Sequence, residues 1–221
     1  LFRNYVPVNI GEYRVFAGSV NLTNDALLDR VRFISNVTIH PQYFGPPAYV
    51  NNIAIIRLQT PFSTSIVSPI SLPAANFVPT DSSLCTVAGW GASNTTALAS
   101  TQLKYANKFI YNQNLCTNFY NTIPYITTIT SSMVCATAFN SLSSGCFGDE
   151  GNALVCNGTL TGTLFLTNNC EASPFPEVYT RVSNYTTWVR TVTGGSFAFR
   201  PDIMTYIVLI FLPITGLRAI C

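Results

Sequence analysis

Short apolar runs bounded by turn residues dominate this chain to about residue 181, with no internal repeat and no helical heptads. In "RVRFISNVTIH", Val31, Phe33, Val37 and Ile39 share one parity, while Arg30, Arg32, Asn36 and Thr38 share the other. That pattern predicts a half-buried strand with its polar side in water. "NIAIIRL" is apolar on both parities and predicts a fully buried strand. Further strands are predicted at "LCTVAGW", "QLKYANKFIY", "SMVCATA", "ALVCNG" and "LTGTLFLT", separated by Pro, Gly, Asn or Ser clusters. The period changes once: Val182, Tyr185, Trp188, Val189 and Val192 recur at helical spacing, so "VSNYTTWVRTVT" predicts an amphipathic helix. Many short strands followed by one late helix predict an all-β sandwich or a pair of barrels.

A different pattern follows "TGGS". The stretch from Ile203 to Leu217 carries no charge, yet it is shorter than the ~18 apolar residues of a spanning helix. It also contains Pro213 and Gly216. Gly194, Gly195 and Ser196 are small enough to begin a lipid-anchor signal, but the spacer "FAFRPD" is short and Arg218 interrupts the tail. Three readings follow in order: a non-native or read-through extension, an anchor signal, and a peripheral docking segment. Residues 1–193 are therefore read as one domain and 194–221 as an apolar tail.

Composition narrows the class. Hydrophobic residues make up 48% and charged residues 9% of the chain, against a usual charged share of about 25%. The polar surface must come mostly from Ser, Thr and Asn. A net charge of +2 with no Lys/Arg cluster argues against nucleic acid as a partner. The seven cysteines show no C-x-x-C spacing and there is one histidine, so no metal or cofactor is expected. Sequons at Asn21, Asn36, Asn94, Asn157 and Asn184 are candidates for N-glycosylation. Together with the scattered cysteines they point to a secreted protein, membrane-anchored only if the tail is a native anchor signal. The first residue is Leu and no signal peptide is visible, so the expectation is a chain whose beginning is missing.

The order of five segments, "IHPQY", "NNIAIIRL", "LCTVAGWG", "GCFGDEGNALVC" and "PEVYTRVSNYTTWV", resembles the chymotrypsin-like (trypsin-like) serine endopeptidases from near Leu1 to about Thr193. The resemblance implies two antiparallel β-barrels with a C-terminal helix, the first barrel incomplete at its N-terminus. It also implies the disulfides Cys85–Cys156, Cys116–Cys135 and Cys146–Cys170, which leaves Cys221 over. In that family a serine attacks, a histidine takes its proton and a buried aspartate fixes the histidine tautomer. Here Glu150 stands in the nucleophile's place within "GDEGNALVC", with Asn152 and Ala153 replacing the following Gly and Pro. Asn52 replaces the aspartate, and the histidine's segment would precede Leu1. His40, in "IHPQY", matches a structural position.

By the same resemblance Gly148, Asp149 and Glu150 form the oxyanion-hole loop. Ser144 lies at the base of the specificity pocket, and Thr167 and Glu177 occupy two positions that are often Gly in open pockets. A closed pocket is expected. The Glu150 side chain is expected to fold back onto the Gly148 N–H, since a buried donor without an acceptor costs about 1–3 kcal/mol. An aspartate-to-asparagine change alone lowers turnover about 10⁴-fold in this template, and loss of the nucleophile is at least as severe. The expectation is an inactive homologue that acts by binding another protein: a protease, a substrate-like ligand or an inhibitor. The alternatives are an active chymotrypsin- or elastase-like endopeptidase and a non-functional fragment.

Overall fold

The computed structural model describes residues 9–22, 28–63, 65, 67–123, 127–138, 144–167, 170 and 175–194, together with the backbone of 2–3, 6–7 and 206–209. Its strands are β1 (Phe2–Arg3), β2 (Val6–Pro7), β3 (Arg14–Phe16), β4 (Val31–Ile39), β5 (Ala54–Leu58), β6 (Leu84–Gly89), β7 (Lys104–Tyr111), β8 (Met133–Ala138), β9 (Ala153–Cys156), β10 (Thr159–Leu166), β11 (Glu177–Arg181) and β12 (Tyr206–Leu209). Two helices accompany them, α1 (Gln113–Tyr120) and α2 (Thr186–Val192).

Strands β6 to β11 close into a barrel in the order β10-β11-β8-β7-β6-β9. Its interior is filled from both sheet halves by Ile110, Val134, Ala136, Leu154, Leu164 and Tyr179. The other half of the molecule is an open sheet, β12-β5-β4-β3. Strand β5 joins the two. Ile56 packs with Val15, Ile34 and Leu58 in the sheet's core, whereas Ile55 packs with Phe165, Val178, Tyr185 and Val189 on the barrel and helix side. The "NIAIIRL" reading holds: Ala54, Ile55, Ile56 and Leu58 are buried and Arg57 alone is exposed.

The disulfides are Cys85–Cys156, Cys116–Cys135 and Cys146–Cys170, the pairs that the family resemblance implied. The first links paired residues of β6 and β9, and the second ties α1 to β8. The late helix is present as well: a 3-10 turn over Val182–Asn184 leads into α2, and Val182, Tyr185 and Val189 are buried.

One expectation needs correction, and some elements went unpredicted. In β4, Phe33 is exposed and Ile34 is the buried residue. The pairing of β4 with β5 shifts between Ile34 and Asn36. The extra residue of that bulge reverses parity, so Ile34 and Val37 share one core although they are three apart. Exposed Phe33 is instead covered by Arg14, whose guanidinium lies 5.0 Å from the ring centroid. Helix α1 had no counterpart in the apolar pattern; it is short, and it starts where the Asn112 side chain accepts from the Asn114 and Leu115 N–H groups. Strands β3 and β11 were not predicted from periodicity either. In β11 the polar residues Glu177 and Thr180 are as buried as Val178 and Tyr179, so no alternation marks the strand.

Candidate active-site loop and pocket

Residues 145–152 link the barrel wall to β9 and carry the candidate chemistry. Asp149 turns inward. Its Oδ1 accepts from the Gly91 N–H at 3.0 Å and from the Asn152 Nδ2 at 2.9 Å, and its Oδ2 accepts from the Cys146 N–H at 3.0 Å. The segment "GWG" permits this approach. A Cβ on Gly91 would lie 2.3 Å from the Asp149 Cγ, and one on Gly89 would lie 2.1 Å from its Oδ1. Burial raises the Asp149 pKa above the ordinary carboxylate value, while the three donors hold it down. Asn152 thus supplies a donor that holds Asp149.

Glu150 follows and behaves differently. Its side chain folds back along its own loop, so that Oε2 accepts from the Gly148 N–H at 2.9 Å. Its own backbone N–H also favours the charged form; burial, followed by the nearby Asp149 charge, pushes the other way and leaves the pKa raised. The acid that takes the Gly148 N–H thus belongs to the same loop.

Ser144, Thr167 and Glu177 meet around Gly145. A Cβ on Gly145 would lie 3.0 Å from the Leu164 Cδ2, 3.1 Å from the Thr167 Cγ2 and 3.3 Å from the Glu177 Oε1. Glu177 is 4% exposed. Its Oε1 takes the Lys108 ammonium at 2.7 Å and the Gly145 N–H, with the Ser144 hydroxyl at 3.4 Å. The Tyr179 hydroxyl donates to Oε2. Burial and this carboxylate raise the Tyr179 pKa, so the phenol stays protonated and donates. Lys108, Glu177, Ser144 and Asp149 line one cavity of about 250 Å³.

Lys108 was missed in the sequence, although a signal existed. It lies between Ala106 and Ile110 on the inward parity of β7, where a lone lysine requires a buried acid.

Asn52 lies two residues before β5. It is 2% exposed, and its carbonyl accepts from the Thr180 hydroxyl at 2.9 Å, which ties the start of β5 to β11. Its Nδ2 is buried without a hydrogen-bond partner. His40 packs its ring against Trp188 at 4.9 Å and Tyr185 at 5.4 Å, and burial lowers its pKa. Among the described residues no group of three His, Cys, Asp or Glu side chains is placed to hold a metal ion. Of the sequon asparagines, Asn36, Asn94 and Asn157 are exposed, and Asn21 and Asn184 are half-buried.

Comparison with known proteins places this geometry. The family described as Trypsin matches residues 6–189. Trypsin-3 of Salmo salar is 30% identical over 197 residues, covering 88% of this chain and 76% of the relative. A snake venom serine protease homolog of Bothrops jararacussu is 32% identical over 148 residues, covering 66% of this chain and 55% of that protein. Among solved structures, neuropsin, a serine protease expressed in the limbic system of mouse brain, superposes with a TM-score of 0.69. It is 29% identical, covering 84% of this chain and 86% of that one.

Proposed function

The chain belongs to the trypsin family of chymotrypsin-like serine proteases, and we propose that it is a non-catalytic member that works by binding another protein. One observation carries the reading: a carboxylate stands in the nucleophile's place and occupies the Gly148 N–H itself. That N–H belongs to the pair that would stabilise a developing oxyanion. A carboxylate attacking a peptide carbonyl would form a labile anhydride, and leaving the hole to attack would return the donor unpaired. Asn52 adds a second lesion. An amide cannot take the charge of an imidazolium as an aspartate does, and that change alone is worth about 10⁴ in turnover in the family template.

The pocket supports the same reading. Thr167 and Glu177 crowd Gly145, and the Glu177 charge is already matched by Lys108. A substrate side chain entering there would have to separate a buried ion pair. Three disulfides and exposed sequons support secretion. The binding partner is a protease, a substrate-like ligand or an inhibitor of this fold. The names of trypsin-3 and neuropsin favour a second reading, an active endopeptidase.

Reaction with a serine-directed fluorophosphonate, alongside turnover of a panel of peptide substrates, separates the two. The expected result is neither labelling nor turnover in the parent protein, and no activity in Glu150→Ser, because Asn52 remains. Turnover by the parent that is lost in Glu150→Ala would establish an enzyme instead.

A further inference from the structure

The hairpin between β9 and β10 turns on Asn157 and Gly158, with Cys156 paired to Thr159. Both turn residues have positive φ, 49° and 70°, as a type I′ turn requires, and Asn-Gly is the favoured pair for it. With Thr159 the same two residues spell a sequon, and Asn157 is exposed. Strand β6 runs beside β9 with Cys85 opposite Cys156, so the register carried one step further sets Leu84 beside Asn157. Cys85 and Cys156 belong to the barrel's interior. Alternation therefore turns Leu84 outward, where it is 52% exposed. Its partner on β7, the half-buried Phe109, shares that outer face. An apolar step on the outer wall thus adjoins an exposed acceptor asparagine. Asn184 is the opposite case: its Oδ1 accepts from the Arg181 Nε at 2.7 Å, and the hydroxyl of its sequon, on Thr186, is buried.

We propose that Asn157 carries an N-linked glycan whose first N-acetylglucosamine lies across Leu84 and the edge of Phe109, so that the sugar completes the outer wall of the barrel. The inference takes from the proposed function only the secretory route, and it holds whether or not the protein is catalytic. The donor is an oligosaccharide on a polyprenyl diphosphate. A bond forms between the Asn157 Nδ2 and the anomeric carbon of the sugar, the bond from that carbon to the diphosphate breaks, and Nδ2 gives up one proton. The turn is untouched, because the sugar is added to the side chain and leaves the backbone angles as they are. A pyranose ring has a face of C–H groups as well as hydroxyls, so it covers apolar side chains while its hydroxyls stay in water. Covering Leu84 removes apolar surface from water in the folded state alone, which stabilises that state. The occupant of the apolar step is fixed by the chain itself: its attachment point is the adjoining residue.

The test uses the full chain, secreted from mammalian cells behind a cleaved signal peptide. Enzymatic release of the glycans in heavy-oxygen water marks each occupied asparagine, and Asn157 is expected to be marked. Thr159→Val removes the sequon and keeps the Asn157–Gly158 turn. It is expected to lower Tm by about 2–4 °C, the scale of one contact in a domain of this length. In a Leu84→Thr background the same substitution should leave Tm unchanged, because the sugar's apolar neighbour is gone. On the folded parent, made with high-mannose glycans, trimming to the first sugar should leave Tm unchanged and complete release should lower it, so the test survives even if a variant fails to fold. Asn157 bare while Asn36 or Asn94 is occupied would overturn the proposal alone, whereas no glycan at any asparagine would overturn the secretory route with it. An equal loss of Tm in both backgrounds, or the same loss on trimming as on complete release, would leave the sugar in water and overturn the contact. Peptide turnover, which would defeat the non-catalytic reading, leaves these measurements unaffected.

Discussion

The barrel interior around Glu177 and the loop around Glu150 each hold a glutamate that has left water, and they hold it by different means. Glu177 has a cation, a phenol, a serine hydroxyl and a backbone N–H, and it sits 4% exposed. Glu150 has backbone N–H groups, no cation, and a half-buried position at the loop's surface. The first acid is part of the fold's interior and its neighbours depend on it. The second fills a site that the fold builds with or without it. Removing them should therefore have unequal consequences.

The largest effect is expected at Glu177. Glu177→Ala leaves the Lys108 ammonium inside the barrel without its carboxylate, and breaking a buried pair from one side costs about 3–5 kcal/mol. Replacing both partners with apolar residues, Lys108→Met with Glu177→Leu, removes the two desolvated charges together. That double variant should recover most of the loss, because apolar replacement of a buried pair is often neutral. Urea unfolding of the three proteins gives the comparison. A single variant as stable as the parent would mean that water reaches Lys108 and the region is not an interior.

Asp149 falls between the two acids, and a middle-sized effect is expected. It has no cation, but the Gly91 N–H, the Cys146 N–H and the Asn152 amide all depend on it. Asp149→Ala should destabilise by about 2–3 kcal/mol, at the scale of one or two orphaned donors. The space that Gly89 and Gly91 leave for the carboxylate would become a cavity. Asp149→Asn should lose less, since an amide oxygen can keep one of the N–H groups while its NH₂ now faces a second donor. Thermal unfolding read at one pH orders the three proteins.

The same contrast governs what the sequence disclosed. Most barrel strands were legible as short apolar runs bounded by turn residues, and the disulfides because five motifs fell in a familiar order. The bulge at Ser35 was not legible: it moves Ile34 into the core with no change in composition. Nor was β11, where Glu177 and Thr180 are buried by partners that lie far away in the chain. Glu177's role depends on Lys108, 69 positions earlier, and no local pattern records that pairing. The Glu150 loop was easier, because donor and acceptor lie two residues apart. Sites closed within one turn can be read from the chain, whereas sites closed across a barrel need the fold.

The smallest effect is expected at Glu150, and its sign with pH distinguishes it from the others. Glutamine at this position keeps an oxygen for the Gly148 N–H and removes only the charge, so at low pH Glu150→Gln should match the parent within about 0.5 kcal/mol. Burial, then the Asp149 charge, places the Glu150 pKa above its ordinary value in the folded protein. The folded state therefore keeps a proton over a window just above the ordinary carboxyl range, where the unfolded chain has already released it. Stability must fall as pH rises through that window. The glutamine variant lacks this proton and should fall less steeply, gaining on the parent between the ordinary glutamate pKa and the raised one. Asp149 contributes a fall of the same sign in both proteins, so only the difference between the two curves belongs to Glu150. Denaturant midpoints across mildly acidic pH measure that difference. Parallel curves would mean that the Glu150 carboxylate titrates as it does in water, and the loop would then hold no more than a solvated acid.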